Sequence, residues 1–192
     1  MLLQNSQTRY GVIAMAAHWL VVLLLIGSYS LGFYMEDLPV SPAKLKLYAY
    51  HKWNGVTIFA LVALRLTWRL WSPPPPLPVS MPGWEKRAAE ISHRLLYLLV
   101  FAVPLSGWLM SSAKGFQTVW FGVLPIPDLL SKNPPLGEAL ETVHWALNKM
   151  LLGLVSLHVA AALKHHFIDR DEVLTRMTPC LPAPGVVENR TE

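Results

Sequence analysis

Histidines are the side chains of this sequence best suited to chemistry, and two of them share one apolar segment. His144 and His158 lie fourteen residues apart, which corresponds to about 21 Å along an α-helix at 1.5 Å per residue. Fourteen steps of about 100° bring the two imidazoles to within roughly 40° of each other. A helix that crosses a membrane here would present one imidazole near each of its ends, on nearly the same face.

Two further histidines, His18 and His51, stand near opposite ends of two earlier apolar segments. Matched by depth, the pairs are His18 with His158 and His51 with His144. Each pair offers two axial imidazoles to one haem iron, and such ligation leaves no open iron position, which favours electron transfer over ligand chemistry. Zinc is the main competing interpretation, but a zinc site gathers three or four ligands at one depth. A single buried histidine is, by itself, more often a packing residue.

The elements that must position these histidines are helices in a membrane. The chain is 53% hydrophobic and 15% charged, whereas a soluble domain carries about 25% charged residues. A membrane span needs about 20 predominantly apolar residues. We predict an all-α integral membrane four-helix bundle formed by residues 1–178, with helices at about 11–34, 50–71, 90–112 and 139–166. The second helix carries Arg65 and Arg69 near its end, where long side chains reach the headgroups.

The segments between the helices are rich in proline. Residues 72–78 form a stiff extended connector, because proline fixes φ and lacks an N–H. The aromatic connection at 115–138 is predicted to lie at the membrane surface, and residues 179–192 to form a disordered cytoplasmic tail. The first apolar run is too long for a signal peptide and is interpreted as a retained helix. The single cysteine, Cys180, excludes an internal disulfide framework and a cysteine-rich iron–sulfur site.

The distribution of basic residues predicts the orientation. Arginine is confined to one side of the predicted bundle, the side that holds both termini and the connector between the second and third helices. Lysines on the opposite side are diluted by acidic residues. The positive-inside rule then predicts that both termini lie in the cytoplasm.

Three more histidines, His93, His165 and His166, lie at the same side as the termini. A histidine is favourable at the C-terminus of a helix, so solvated helix ends are one interpretation. The other is a proton-handling site for a quinone headgroup, with His165 and His93 as its candidates, since quinone reduction takes up protons. Haem propionates also need cationic partners; the candidates are Arg9, Arg65, Arg69, Arg94, Lys52 and Lys149.

Several motifs at these positions occur in a recognisable order. They are Ala17-His18-Trp19-Leu20, His51, Arg65-Leu66-Thr67-Trp68-Arg69-Leu70, His93-Arg94-Leu95-Leu96-Tyr97, Pro104-Leu105-Ser106-Gly107, His144, and His158 followed by Ala160-Ala161-Ala162-Leu163-Lys164-His165-His166. In their order and spacing the sequence resembles the bacterial cytochrome b561 family, of the type related to the b subunits of nickel-iron hydrogenases. The resemblance covers residues 8–178.

This resemblance implies a four-helix cytochrome with two b haems, ligated by His18 with His158 and by His51 with His144. It implies a superoxide oxidase that passes electrons to ubiquinone, with the quinone near His165. Superoxide would be drawn to a basic periplasmic surface formed by Lys44, Lys46, Lys52 and Lys149.

Two alternatives stay open at this point: a membrane-anchor b subunit that serves a partner dehydrogenase or hydrogenase, and a non-redox metal transporter. No feature of the sequence indicates a nucleic-acid partner or a separate catalytic residue.

Overall fold

The computed structural model describes residues 2–178, which form four long helices and a small hairpin. The helices are α1 (Val12–Glu36), α2 (Pro42–Trp71), α3 (Gly83–Ala113) and α4 (Pro134–Lys164). Strands β1 (Val119–Trp120) and β2 (Leu124–Pro125) pair antiparallel. A π-helix (His165–Asp169) continues α4, and a 3₁₀ turn (Thr175–Met177) follows. The predicted tail at 179–192, with Cys180, lies outside the described residues.

Three of the helices begin earlier than the sequence predicted. α2 begins at Pro42 rather than 50, α3 at Gly83 rather than 90, and α4 at Pro134 rather than 139. The side chain of Ser41 accepts a hydrogen bond from the backbone N–H of Lys44, and that of Asn133 from Leu136, so both serve as N-caps. The added turns carry charged residues and lie outside the apolar windows. As a result His51 and His93 lie well inside α2 and α3 rather than in their first turns, where the predicted bounds placed them, and those bounds are corrected.

The lengths and composition of the helices suit a membrane. α2, α3 and α4 have 30, 31 and 31 residues, hence about 45 Å each, more than the hydrocarbon thickness of about 30 Å. Three helical segments are long and apolar enough to cross: Val12–Glu36, Gly83–Ala113 and Pro134–Asp169. α2 is more basic, but it packs along α1 and against α3 and so runs beside two such segments.

The core fills the middle of the bundle. α1 packs along α2 and α3 along α4, and α2 also packs on α3, whereas the backbone of α4 stays apart from those of α1 and α2 over the described residues. One buried apolar cluster joins all four helices; it consists of Val21, Ile58, Val62, Leu99, Val100 and Leu151. Leu151 is fully buried and lies midway between His144 and His158 in the sequence.

The bundle has two distinct ends. At the terminal end, formed by residues 2–11, 72–82 and 165–178, Tyr10 donates its backbone N–H to the carbonyl of Arg176 at 3.3 Å, and Trp19 Nε1 donates to Met177 at 2.9 Å. At the hairpin end, formed by residues 37–41 and 114–133, Trp53 Nε1 donates to the carbonyl of Val119 at 2.6 Å. The N-terminal and C-terminal segments therefore meet at one end.

Candidate functional site

At the terminal end, α1 and α4 bring His18 and His158 together. Their ring centroids are 6.5 Å apart with an angle of 72° between the planes. Both side chains are half-buried, and Nδ1 of His18 is buried with no hydrogen-bond partner among the described residues. A third ring, His93 of α3, lies 5.4 Å from His158. The histidines were paired in the sequence by their predicted depth in the membrane. His93 was left out of this pair because the third helix was predicted to begin close to His93.

At the hairpin end, α2 and α4 bring His51 and His144 together, with ring centroids 6.4 Å apart and planes nearly perpendicular at 89°. Nδ1 of His144 lies 3.1 Å from the carbonyl oxygen of Val103 and 2.9 Å from Oγ of Ser106. Because a carbonyl oxygen only accepts, Nδ1 carries the proton, and the lone pair of His144 is left on Nε2. This is the tautomer that a metal-ligating histidine uses when its other nitrogen donates to a carbonyl.

The spacing of both pairs fits a metal held between two imidazoles. With metal–nitrogen bonds of about 2 Å on opposite sides of one ion, the ring centroids stand about 6 Å apart. The helices that carry each pair, α1 with α4 and α2 with α4, are not among the closely packed helix pairs of the bundle, as a macrocycle held between them requires. Gly107 adds room beside His144, since a Cβ there would lie 3.1 Å from His144 Cε1. The residues present therefore fit a haem group at each end.

Positive charge gathers around the terminal-end pair. The guanidinium groups of Arg65 and Arg69 lie 5.5 and 5.7 Å from the ring centroid of Tyr97. Arg65 is close enough to act electrostatically on both His18 and His158. Burial raises the pKa of the Tyr10 hydroxyl, which lies near the same two arginines.

The other predicted propionate partners lie elsewhere. Nη2 of Arg9 donates to the carbonyl of Thr178 at 3.0 Å, and so this arginine holds the C-terminal segment. Arg94 forms an exposed pair with Glu90 at 3.6 Å. The ammonium of Lys149 lies 5.5 Å from the ring of Phe33, on the exposed side of α4.

His165 begins the π-helix and lies in a network of charged groups. Its Nδ1 is 2.6 Å from Asp171 Oδ2 and 3.1 Å from Asp169 Oδ2, and its Nε2 is 3.8 Å from Glu85 Oε2. Lys164 bridges Glu85 at 2.7 Å and Asp169 at 2.8 Å. The set Glu85, His165 and Asp169 has the compactness of a metal site, but the Lys164 ammonium already bridges the two carboxylates.

The sequence singled out His165 but missed these acidic partners. Glu85 precedes His165 by eighty residues, and Asp171 follows it by six. Two residues six positions apart do not lie on the same face of a regular α-helix. The π-helix and the left-handed Arg170, with φ 54°, bring Asp171 back to the ring. No periodicity in the sequence indicates that turn.

Unpaired polar atoms distinguish the two ends. Among residues 2–178, five buried side-chain atoms have no hydrogen-bond partner. All lie at or near the terminal end: His18 Nδ1, Trp68 Nε1, Glu85 Oε2, His166 Nδ1 and Arg176 Nε. Buried polar atoms are normally paired, so this end has unused capacity for a polar ligand. At the hairpin end Nδ1 of His51 lies 3.4 Å from Ser28 Oγ, a long contact, and that of His144 is fully bonded.

The surface next to His51 is basic and aromatic. Nζ of Lys52 donates to the carbonyl of Phe116 at 2.9 Å, and Nζ of Lys44 to that of Leu38 at 2.6 Å. Both ammonium groups bind carbonyl oxygens rather than carboxylates, so their positive charge is not cancelled by these contacts. Trp53 anchors the β-hairpin over this part of α2.

A helical membrane bundle with a pair of facing histidines near each end is the architecture of a membrane b-type cytochrome. The chain matches the family described as prokaryotic cytochrome b561 over residues 9–179, and it belongs to that family, whose members bind b-type haem and transfer electrons as oxidoreductases in bacterial membranes. This membership confirms the resemblance seen in the sequence, and it favours a cytochrome over a metal transporter.

Similar proteins span nearly the same length. "Cytochrome b561 homolog 2" of Escherichia coli (strain K12) is 37% identical over 175 residues, which cover 90% of this chain and 93% of the relative. "Probable superoxide oxidase CybB" of Yersinia pestis is 29% identical over 89% of this chain and 96% of its own. "Cytochrome b561 homolog 1" of Escherichia coli (strain K12) is 25% identical over 89% of this chain and 97% of its own.

Proposed function

We propose that the chain is a di-haem cytochrome that oxidises superoxide at the hairpin end and reduces ubiquinone at the terminal end. The observation that carries this proposal is the facing of two histidine pairs at similar spacings, 6.5 Å and 6.4 Å, at opposite ends of the bundle. His18 with His158 and His51 with His144 are the proposed axial ligands. Haem b, when bound, supplies a one-electron carrier whose potential the protein tunes.

Residues next to the proposed ligands would orient the imidazole rings and neutralise the haem propionates. Val103 and Ser106 fix the His144 ring and leave Nε2 to the iron. Arg65 and Arg69 are the proposed propionate partners at the terminal end, because Arg65 lies near His18 and His158 and Arg69 lies beside Arg65 against the same Tyr97 ring. Arg9 binds backbone carbonyls instead. All four proposed ligands are half-buried, which limits the access of water to the iron.

The proposed donor is an anion that approaches a positive surface. At the hairpin end the side-chain nitrogens of Lys44 and Lys52 bind carbonyl oxygens rather than carboxylates, and Lys52 directly follows His51. Positive potential of this kind raises the encounter rate of a small anion. The relative named as a probable superoxide oxidase supports the same donor. In the overall reaction two superoxide ions each lose one electron and become dioxygen, and one quinone gains two electrons and two protons.

The terminal end suits the acceptor. Its unpaired buried donors and acceptors support a bound polar headgroup, and His165 and His93 are the proposed quinone contacts. We propose that this end faces the cytoplasm, because every arginine of residues 2–178 lies there and positive residues favour that side. They are Arg9, Arg65, Arg69, Arg87, Arg94, Arg170 and Arg176.

Stopped-flow spectroscopy of the purified protein tests this function. Superoxide is expected to reduce the haem, superoxide dismutase to abolish that reduction, and added ubiquinone-1 to restore the oxidised spectrum. If dithionite reduces the haem but superoxide does not, the donor assignment is wrong and the membrane-anchor subunit becomes the better function. That alternative requires a larger redox subunit that co-purifies with the chain.

A further inference from the structure

Two polar atoms beside the proposed quinone contact are left without a hydrogen bond to each other. Nε2 of His165 and Oε2 of Glu85 lie 3.8 Å apart, beyond hydrogen-bond distance. Oε2 of Glu85 is buried and has no partner in the part of the chain that the structure describes. The second oxygen, Oε1, is held by Lys164 at 2.7 Å. Glu85 is therefore fixed through one oxygen, and its other oxygen is free to exchange a proton.

The opposite nitrogen of the same ring is fully engaged. Nδ1 of His165 lies 2.6 Å from Oδ2 of Asp171, and Oδ1 of Asp171 accepts the backbone N–H of Val173 at 2.9 Å. The backbone N–H of Asp171 donates to the carbonyl of His165 at 3.0 Å. Asp171 is thus tied at three points, and it holds the imidazole with Nε2 on the Glu85 side.

We propose that Glu85 resupplies protons to His165 during quinone reduction and that Asp171 is the positioning residue that stabilises the doubly protonated ring. The inference rests on the proposed function, in which the quinone is reduced next to His165. It concerns how protons reach the acceptor, and it involves two carboxylates that the redox site itself does not require.

The proton transfers balance for each of the two protons that the quinone gains. The Nε2–H bond of His165 breaks as a quinone oxygen forms its O–H bond. The Glu85 carboxylate, paired with Lys164 at rest, takes a proton from a hydronium ion of the solvent at the terminal end. The new O–H bond of Glu85 then breaks as the Nε2–H bond of His165 forms again, and Glu85 returns to the carboxylate. Throughout the cycle Nδ1 keeps its proton, and the Asp171 carboxylate offsets the charge of the imidazolium.

The charged groups around this route come from α3, the end of α4, the π-helix and the residues that follow it. Glu85 of α3 faces Lys164 at the end of α4 and His165 in the π-helix. His165 faces Glu85 on one side and both Asp169 and Asp171 on the other. Side-chain exposure falls from 39% at Lys164 and 19% at Asp171 to 12% at Glu85 and 11% at His165, so the network leads from the surface inward.

The test uses Glu85→Gln and Asp171→Asn in the haem-loaded protein, with Glu90→Gln as the matched control on the exposed side of α3. The haem is reduced with dithionite, mixed with ubiquinone-1, and its reoxidation is followed between about pH 6 and 9. We expect reoxidation about 10- to 100-fold slower in the two test variants, as for loss of a general acid, with a flattened pH profile in Glu85→Gln. Superoxide-driven haem reduction without quinone should be unchanged.

Other results have separate meanings. If ubiquinone-1 fails to reoxidise the unaltered protein, the proposed acceptor is wrong. If the unaltered protein reacts but Glu85→Gln matches Glu90→Gln at every pH, only the proton route is overturned. Should Glu85→Gln lose its haem, reoxidation of the unaltered protein in D₂O decides: slower reoxidation than in H₂O supports the route, and equal rates overturn it.

Discussion

Gly107 lies close against His144, and the gap between them is tight for a methyl group. A Cβ on Gly107 would lie 3.1 Å from Cε1 of His144, closer than an ordinary van der Waals contact, and 3.4 Å from Nδ1. The ring cannot easily retreat, because Val103 and Ser106 hold its Nδ1. The glycine of α3 thus sets the position of the imidazole on α4.

Gly107→Ala should therefore displace His144 and weaken haem binding at the hairpin end. Changes that disturb the support of a metal ligand typically cost about 10- to 100-fold in affinity. Haem content per chain and the α-band of the reduced spectrum are the measurements. Gly32→Ala is the matched control, since its Cβ would lie at an ordinary 3.9 Å from His51 Cε1. Equal haem content in the two variants would contradict the assignment of His144 as a ligand.

His158→Ala should remove the terminal-end haem and leave the other in place, so that haem content falls by about half, as expected when one of two bis-histidine sites is lost. His93 is the informative comparison, because its ring lies closer to His158 than the ring of His18 does. We expect His93→Ala to keep both haems. If instead His93→Ala loses a haem while His18→Ala keeps it, the ligand pair is His93 with His158.

Lys52→Gln should slow the reduction of the haem by superoxide. Lys52 follows His51 and donates to a carbonyl rather than to a carboxylate, so its charge can attract an anion, although the nearby Asp128 offsets part of it. We expect the second-order rate constant to fall about two- to fivefold at low ionic strength, and the difference to shrink as salt screens the surface. Lys86→Gln, at the terminal end, should behave like the unaltered protein. An effect of Lys52→Gln that persists in high salt would argue against electrostatic steering.

Leu151→Ala should destabilise the bundle. Leu151 is fully buried among core residues of all four helices, so the shortened side chain leaves a cavity worth about 2–5 kcal/mol of unfolding free energy. The temperature at which the protein loses its haem should fall. Leu152→Ala removes the same atoms from an exposed position, where 37% of the residue is accessible. If the two variants lost their haem at similar temperatures, Leu151 would not stabilise the core more than an exposed leucine does.

The histidine geometry was largely predictable, because helical periodicity and membrane thickness are strong constraints. Fourteen residues return a side chain to nearly the same face, and apolar segments of similar length bring matching depths together. These two rules group His158 with His18 and His144 with His51 before any contact is known. The pairs of rings lie adjacent in the structure, and their role as ligands stays a prediction.

The helix starts were less predictable from hydropathy, because the first turns of α2, α3 and α4 include charged residues and lie outside the apolar windows. Ser41 and Asn133, each followed by proline, are the local signals for such starts. The acidic network of His165 has no comparable signal. It depends on a π-helix and on a left-handed residue, Arg170, and neither follows from periodicity.

The bonds between the two termini also have a consequence for biosynthesis. Tyr10 and Trp19 are held by carbonyls of Arg176 and Met177, so a segment that precedes all four helices or begins the first of them is secured by residues translated more than 150 positions later. In a nascent chain that lacks these residues, the N-terminal end of α1 does not yet have these hydrogen bonds. The side of the bundle that holds His18 is therefore closed only after translation has passed residue 178, which sets the earliest moment at which a stable cofactor site can exist there.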